Sequence, residues 1–268
     1  MKLKNNTGIM QGRLLPKYQG KYQAHPIGNW QEEFAIANQL DLDCIEFILD
    51  YYKSEQNPLL NSDGLKEIRK IVLDSEVNVS SICADYFMEA PIHSNNLAIV
   101  DKSLSVLDDL IKNASLIKVS DIVVPCVDQS SLKNKKDIDN FVNNIKSIIK
   151  TAESLEINIC LETDLEPKVF ANMLDSIGSR NVTVNYDIGN SAALGYDPIE
   201  EFKAYGDKIT DLHIKDRLLG GKSVPLGTGN ANFSKIFDLL SKYEYRGIMI
   251  FQAYRDDEGV KVFKDQLS

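Results

Sequence analysis

The stretch VTVNYDIGNSAALGYDPIEEFKAYGDKITDLHI, residues 182–214, decides the fold. It contains two short apolar runs with many β-branched residues, at 182–187 and 209–214, and each has the length of a buried strand. Pro198, between the two runs, suits the first turn of a helix, where its missing N–H costs no hydrogen bond. Because a strand that returns through a helix pairs in parallel with the strand before it, the stretch predicts a β–α–β unit.

The same alternation continues along the chain. Six further runs have the composition of strands, at 7–11, 44–49, 77–84, 121–127, 157–162 and 247–252. Helical spacing of apolar residues lies between them, at 30–40, 103–117, 141–155 and 232–243, and an eighth helix is predicted within 257–267. Eight such units favour a closed (β/α)8 barrel, and GIMQGRL at 8–14 lacks the glycine pattern of a dinucleotide-binding sheet. No linker or repeat interrupts the pattern, so a single domain over residues 1–268 is predicted.

Composition excludes several classes of protein. The chain has 30 Lys and Arg against 39 Asp and Glu, and this net charge of −9 is unsuited to nucleic acid. No apolar run reaches the length of a membrane helix, so we expect a cytoplasmic protein that binds no membrane. The four cysteines lie singly in apolar runs, which predicts buried reduced thiols rather than a zinc site. A homodimer stays open, because nothing in the sequence locates an interface.

Four polar residues stand at the ends of the four late strands, and these are Glu162, Asp187, His213 and Gln252. In a barrel, residues at the carboxyl ends of neighbouring strands converge at one rim. Two carboxylates, an imidazole and an amide oxygen form a mixed donor set that suits Mn²⁺, Mg²⁺, Co²⁺ or Zn²⁺. The sequence therefore predicts a divalent metal site.

The late-strand motifs resemble those of the xylose isomerase-like TIM barrel superfamily of sugar (phosphate) isomerases and epimerases. The motifs that carry the resemblance are CLETD, VNYDIGNSAALGYDP, LHIKDR with PLGTGNANF, and IMIFQAYR, and GIMQGRL and CIEFILD resemble early strands of one bacterial branch. In such proteins Glu, Asp, His and a final Glu hold the metal. This pattern carries over to Glu162, Asp187 and His213.

The fourth position departs from the family pattern, because this chain has Gln252 there. The resemblance implies two metal-bound glutamates on opposite sides of the sugar carbon, and glutamine cannot act as a base near neutral pH. Glu162 would then be the one base. That set suits an isomerase, with an epimerase or a dehydratase left open. A sugar-binding barrel without catalysis and an abasic-site endonuclease are the remaining alternatives.

Basic and amide side chains near the same rim are the candidates for substrate binding. Lys215 is placed with Glu162 among the catalytic residues, and Asn190 and Arg217 are predicted to bind substrate. Arg13 and Arg255 follow the first and last strands, which meet when a barrel closes, so together they would bind a phosphate or carboxylate.

Weaker pocket candidates follow the early strands. Glu46 is a candidate partner of Arg13, and Asp85 is placed near the pocket. Two long loops, at 12–28 and 215–231, are expected to close over a small substrate. The sequence as a whole predicts a metal-dependent sugar or sugar-phosphate isomerase or epimerase that removes a proton next to a carbonyl.

Overall fold

A computed structural model of the chain describes residues 5–267, so both ends of the domain predicted over 1–268 lie outside the described residues. Its strands are short and mostly buried. They are β1 Thr7–Met10, β2 Cys44–Ile48, β3 Asn78–Cys83, β4 Asp121–Cys126, β5 Asn158–Thr163, β6 Val182–Asp187, β7 Ile209–Ile214, β8 Asp216–Arg217, β9 Ser223–Val224 and β10 Ile248–Phe251.

Within the described residues, eight of these strands form a closed barrel in the order β1-β10-β7-β6-β5-β4-β3-β2. All neighbouring pairs are parallel, and the barrel closes where Thr7 pairs with Met249. The predicted (β/α)8 barrel is therefore confirmed, and each predicted strand lies within two residues of an observed one. The remaining pair, β8 and β9, is a small antiparallel hairpin in the loop after β7, and the sequence did not indicate it.

Helices cover the outside of the barrel. They are α1 Glu32–Gln39, α2 Ser62–Ser75, α3 Tyr86–Glu89, α4 Leu97–Leu116, α5 Lys135–Ile145, α6 Ile149–Leu155, α7 Pro167–Ile177, α8 Ile188–Leu194, α9 Pro198–Tyr205, α10 Phe233–Lys242 and α11 Val260–Leu267. The helix predicted over 141–155 is two helices, α5 and α6. Among residues 5–267, no helix combines the length and the apolar character that crossing a membrane requires.

Local sequence explains where several helices begin. Pro198 is the first residue of α9, and the side chain of Asp197 accepts a hydrogen bond from the Ile199 N–H. The predicted cap of α10 is also found, because the Asn232 side chain accepts a bond from the Lys235 N–H. Such caps satisfy N–H groups that have no partner within the helix.

The barrel interior contains both apolar and polar side chains. Residues of β1, β2, β3 and β10 form an apolar cluster of Met10, Cys44, Ile48, Cys83, Ile248 and Ile250. Buried polar side chains are also present, and they are Glu46 and Ser81 on β2 and β3 and Glu162, Asn185 and His213 on β5 to β7. All four cysteines are buried free thiols.

The two long loops are tied to the rim of the barrel. Asp216 accepts hydrogen bonds from the N–H groups of Gly229, at 2.8 Å, and Ala231, at 3.0 Å, and these bonds hold the loop after β7 in place. Arg255 donates to the carbonyl oxygens of Gly12 and Leu15 and so fixes the loop after β1. Both loops therefore have defined positions above the barrel.

Candidate active site

Three of the predicted metal ligands meet at the rim of the barrel. Glu162 and Asp187 stand at or next to the ends of β5 and β6, and His213 is paired with Asp187 across β6 and β7. His213 Nδ1 lies 3.7 Å from Glu162 Oε2 and 3.9 Å from Asp187 Oδ2. Each residue offers a ligand atom, and these atoms lie within 4.8 Å of one another. We call these three residues the ligand cluster.

The other ring nitrogen of His213 faces the barrel interior. His213 Nε2 lies 2.8 Å from Glu46 Oε1, while Ser81 Oγ donates to Glu46 Oε2 at 2.6 Å. On the opposite side of the ring, the Asn185 side-chain amide lies 3.1 Å from Nδ1. A proton on Nε2 directed to Glu46 leaves the Nδ1 lone pair facing the ligand cluster, which is the usual arrangement for a metal-bound histidine.

The donor set and its geometry fit a divalent cation. Carboxylate oxygens and an imidazole nitrogen bind first-row metals at about 2 Å, so ligand atoms that share a cation lie a few ångströms apart. Gln252 is connected to the ligand cluster through Lys215. Lys215 Nζ donates to Gln252 Oε1 at 2.8 Å and to Asp187 Oδ2 at 3.1 Å. Gln252 is thus held beside the ligand cluster by the Lys215 ammonium.

The two carboxyl groups of the ligand cluster differ in their affinity for a proton. Burial and, to a smaller extent, the negative charge of Asp187 raise the pKa of Glu162 to about 7. Burial also opposes ionisation of Asp187, but the Lys215 charge, His213 and the Asn190 N–H outweigh it and lower that pKa below its ordinary value. Asp187 is therefore a permanent anion, whereas Glu162 can take up a proton near neutral pH.

Positive charge is favoured at the centre of the cluster. Burial alone would lower the pKa of His213, but Glu46, Asp187 and Glu162 surround the ring and raise the pKa well above its ordinary value. Without a metal the ring holds a proton in this anionic setting. A divalent cation bound to Nδ1 would displace that proton and supply the same charge.

A cavity of about 380 Å³ opens above the ligand cluster. This volume falls within the ordinary range for small-molecule sites. The cavity is lined by Arg13, Tyr22, Gln23, Cys83, Asp85, Met88, Pro125, Val127, Asp128, Glu162, Asn190, Lys215, Arg217, Lys222, Ser223 and Gln252. Its walls carry charges of both signs, as expected for a site that binds a polar substrate.

Most of the predicted substrate-binding residues meet at this cavity. Arg217 Nη1 donates to Asn190 Oδ1 at 2.7 Å, and Asn190 Nδ2 donates to Glu162 Oε1 at 2.6 Å. Arg13 is almost fully buried and lines the other wall, where its Nε has no hydrogen-bond partner among residues 5–267. The structure therefore brings Arg13, Asn190, Lys215 and Arg217 together with Glu162.

The structure does not bring Arg255 to the cavity, which corrects the expected pairing with Arg13. Its guanidinium donates to main-chain oxygens of four residues, which are Gly12, Leu15, Asp256 and Asp257. Because its donors are used in this way, Arg255 stabilises the loop after β1. The expected contact of Glu46 with Arg13 is also wrong, since Glu46 lies in the interior against His213 and Ser81.

Several residues of the candidate site were not predicted from the sequence. Asn185 donates to Glu162 Oε2 at 3.0 Å and also contacts His213. Its position two residues before Asp187 places both on the same face of β6, and that spacing was an available signal. Gln23 and Lys222 come from the two long loops, and no periodicity predicts which loop residues turn inward.

Two curated proteins are similar to this chain over most of its length. SgbU of Haemophilus influenzae is 24% identical over 247 residues, with 85% of this chain and 84% of that protein covered. The L-ribulose-5-phosphate 3-epimerase UlaE of Escherichia coli strain SMS-3-5 / SECEC is 23% identical over 247 residues, with 87% and 86% covered.

Solved structures share the fold. A D-psicose 3-epimerase crystallised with D-fructose has a TM-score of 0.75 at 17% identity, covering 98% of this chain and 89% of the other. A xylose isomerase-like TIM barrel protein from Mycobacterium smegmatis, in complex with magnesium, has a TM-score of 0.74 at 16% identity, covering 98% and 95%. A sequence model of the xylose isomerase-like TIM barrel matches residues 34–268. The chain belongs to the xylose isomerase-like TIM barrel family.

Proposed function

We propose that this protein is a divalent-metal-dependent sugar-phosphate epimerase or isomerase of the cytoplasm that removes a proton from a carbon next to a carbonyl. The observation that carries the proposal is that Glu162, one residue of the ligand cluster, lines a substrate-sized cavity together with Lys215 and Gln252. The curated relative UlaE, an L-ribulose-5-phosphate 3-epimerase, suggests ketose phosphates as the substrate class.

Glu162 is the proposed base. Its carboxylate lines the cavity and is oriented by amide donors from Asn185, at 3.0 Å, and Asn190, at 2.6 Å. Burial raises its pKa to about 7, and a base works best when its pKa lies near the working pH. Glu162 is therefore poised to accept a carbon-bound proton.

Asp187, His213 and Gln252, together with Glu162, are the residues that would hold the cation. A divalent ion bound there would polarise the substrate carbonyl and so acidify the neighbouring C–H bond. Glu46 holds the His213 ring with Nδ1 toward Glu162 and Asp187, and Asn190 holds Asp187 through its N–H at 2.8 Å. These contacts fix the donor atoms before substrate arrives.

Lys215 contributes positive charge where the carbonyl oxygen becomes negative. Its ammonium lies between Asp187 and Gln252 and lines the cavity. A fixed charge directed at a developing anion stabilises the transition state more than the ground state. We therefore assign Lys215 the role of stabilising the enediolate that forms when Glu162 takes the proton.

The phosphate is assigned to the loop after β7. Arg217 and the exposed Lys222 both line the cavity on this side, and Lys222 belongs to the turn between β8 and β9. Arg217 keeps free N–H donors beyond those that bind Asn190 and the Gly221 carbonyl. On the opposite wall, Arg13 would bind sugar hydroxyls.

The test follows exchange of the substrate C–H in D₂O. Purified protein is loaded with Mn²⁺ and incubated with L-ribulose 5-phosphate, L-ribulose or D-psicose, and deuterium in the sugar is measured by NMR. We expect exchange with the phosphorylated sugar, and we expect Glu162→Gln to lower its rate by at least about 100-fold. The control is Glu166→Gln, an exposed carboxylate on the next loop, which should exchange at the wild-type rate.

Unchanged exchange in Glu162→Gln would exclude Glu162 as the base. A protein that binds Mn²⁺ and the sugars without any exchange would instead be a sugar-binding barrel.

A further inference from the structure

Inversion of a carbon centre needs a second proton-transfer group. When Glu162 removes a proton from one face of the carbon, the product epimer forms only if a proton arrives at the other face. An amide neither accepts nor releases a proton near neutral pH, so Gln252 cannot serve. The cavity must therefore provide another acid if the enzyme is an epimerase.

Asp85 is a carboxyl group of the cavity that the proposed mechanism leaves unused. It follows β3 directly, and together with Glu162 it lines the cavity. Asp85 Oδ1 accepts a hydrogen bond from Cys83 Sγ at 3.2 Å, and Oδ2 accepts one from Gln23 Nε2 at 2.9 Å. Two contacts from different elements thus fix the carboxyl group at the cavity wall.

Gln23 links Asp85 to Gln252. Its Oε1 accepts hydrogen bonds from Arg13 Nη2 at 2.9 Å and from Gln252 Nε2 at 3.2 Å. The Gln252 amide therefore uses one end to position Asp85 through Gln23 and the other end to contact Lys215. A glutamine makes this double contact, whereas a carboxylate has no donor to offer Gln23.

Asp85 and Glu162 are held apart. Strand β4 lies between β3 and β5 in the barrel, and Pro125 and Val127, in and just after that strand, line the cavity. A substrate in the cavity would therefore meet the two carboxyl groups from different directions. Burial raises the pKa of Asp85 above its ordinary value, so that it can hold a transferable proton.

We propose that Asp85 is the second proton-transfer residue and delivers a proton to the face of the carbon opposite Glu162. This inference rests on the proposed function. The C–H electron pair moves into the enediolate as Glu162 takes the proton. A new C–H bond then forms on the other face as the Asp85 O–H bond breaks. Asp85 is left as a carboxylate and Glu162 as a carboxylic acid, and proton exchange with water restores both.

The variant Asp85→Asn separates the two proton transfers. With L-ribulose 5-phosphate and Mn²⁺ in D₂O, Glu162 still removes and returns the proton on its own face. We expect deuterium to enter the recovered substrate, because Glu162 still exchanges its proton with solvent, while formation of the epimer falls by at least about 100-fold relative to the wild type. The control is Asp101→Asn, an exposed carboxylate on α4 away from the cavity, which should retain both reactions.

A measurement on the wild type covers the case in which Asp85→Asn does not fold. Two groups on opposite faces place solvent deuterium in the first product formed, while recovered substrate stays largely protiated. Transfer of substrate hydrogen into the product would overturn the role of Asp85. The role of Asp85 would also be overturned if folded Asp85→Asn still formed the epimer, or if the variant lost deuterium exchange together with epimer formation. Failure of the proposed function has a different signature, namely no exchange in the wild type or full exchange in Glu162→Gln.

Discussion

The ends of β5 and β6 carry two buried carboxyl groups that meet in the ligand cluster, yet they differ in their affinity for a proton. Asp187, on β6, has the Lys215 ammonium at 3.1 Å and a backbone N–H from Asn190 at 2.8 Å. Glu162, on β5, accepts its hydrogen bonds from the neutral amides of Asn185 and Asn190, and the nearest cationic group, His213 Nδ1, is 3.7 Å away. Burial prevails at Glu162 and raises its pKa, whereas the nearby charge prevails at Asp187 and lowers its pKa.

This difference assigns different work to two similar groups. A carboxylate that stays ionised is suited to hold a metal, and one that titrates near neutral pH is suited to move a proton. Lys215 creates the difference, because it is the cation in hydrogen-bond contact with Asp187. Variants that remove the Asp187 carboxylate or the Lys215 ammonium therefore test this comparison directly.

The largest effect is expected from Asp187→Asn. The change removes the permanent anion, and the affinity for Mn²⁺ should fall by about 1000-fold, more than the 10- to 100-fold typical of residues that only support a ligand. Isothermal titration calorimetry measures the affinity of the variant and the wild type for Mn²⁺. Asp207→Asn, an exposed change near the opposite end of β7, should leave the affinity unchanged. Wild-type affinity in Asp187→Asn would remove Asp187 from the ligand set.

The variant Lys215→Met removes the charge that separates the two carboxyl groups. Loss of one electrostatic donor at a developing anion costs about 100-fold in rate, so kcat for deuterium exchange should fall by that factor. KM should change much less. Lys208→Met alters a lysine that pairs with Asp175 near the start of β7, and it should change neither constant. A kcat for Lys215→Met near the wild-type value would contradict the assigned role.

His25 shows what burial does where no charged partner opposes it. Burial lowers its pKa to about 4, below the ordinary value of about 6.5 in the unfolded chain. Between pH 6.5 and pH 4 the folded state therefore binds fewer protons than the unfolded chain. The stability that neutral His25 contributes is lost as the pH falls through this range. We expect His25 itself to contribute a loss of about 2 kcal/mol in the free energy of unfolding between pH 7 and pH 5, to which groups with a raised pKa, such as Glu162, add a change of the opposite sign.

Urea unfolding at the two pH values measures this change. His25→Asn keeps a side-chain donor for Gln11, which lies 2.9 Å from the histidine ring, and the change in stability between the two pH values should differ from that of the wild type by the contribution of His25. The same slope in wild type and variant would show that the loss arises elsewhere.

The smallest effect is the pH dependence of metal binding. Below about pH 7 the metal must displace protons from Glu162 and His213, whose pKa values are both raised. For each displaced proton, the apparent affinity should fall about tenfold per pH unit. Calorimetry in buffers of different ionisation enthalpy counts the released protons. Binding without proton release would mean that neither side chain binds the metal.

Sequence periodicity was sufficient for the barrel. The eight predicted strands correspond to observed strands because buried parallel strands are short continuous apolar runs. The hairpin of β8 and β9 was missed, since two-residue strands leave no periodic signal. The helix predicted over 141–155 divides near Lys146, at a break that the apolar spacing does not reveal.

The strand pattern also predicted the ligand cluster of the candidate site, but it did not predict the side chains that come from loops. Glu162, Asp187 and His213 lie at strand ends, where topology alone determines that they converge. Side chains from loops were harder to place. Arg255 follows β10 as expected, but its guanidinium turns to the carbonyls of the first loop instead of the cavity. Gln23 turns inward from that same loop, and only three-dimensional packing decides between the two directions.

An anomalous scattering measurement on crystals grown with Mn²⁺ tests the central claim most directly. We expect one strong peak about 2 Å from His213 Nδ1 and from carboxylate oxygens of Glu162 and Asp187. A peak on the Glu46 side of the His213 ring, or an empty ligand cluster in crystals that contain Mn²⁺ elsewhere, would contradict it.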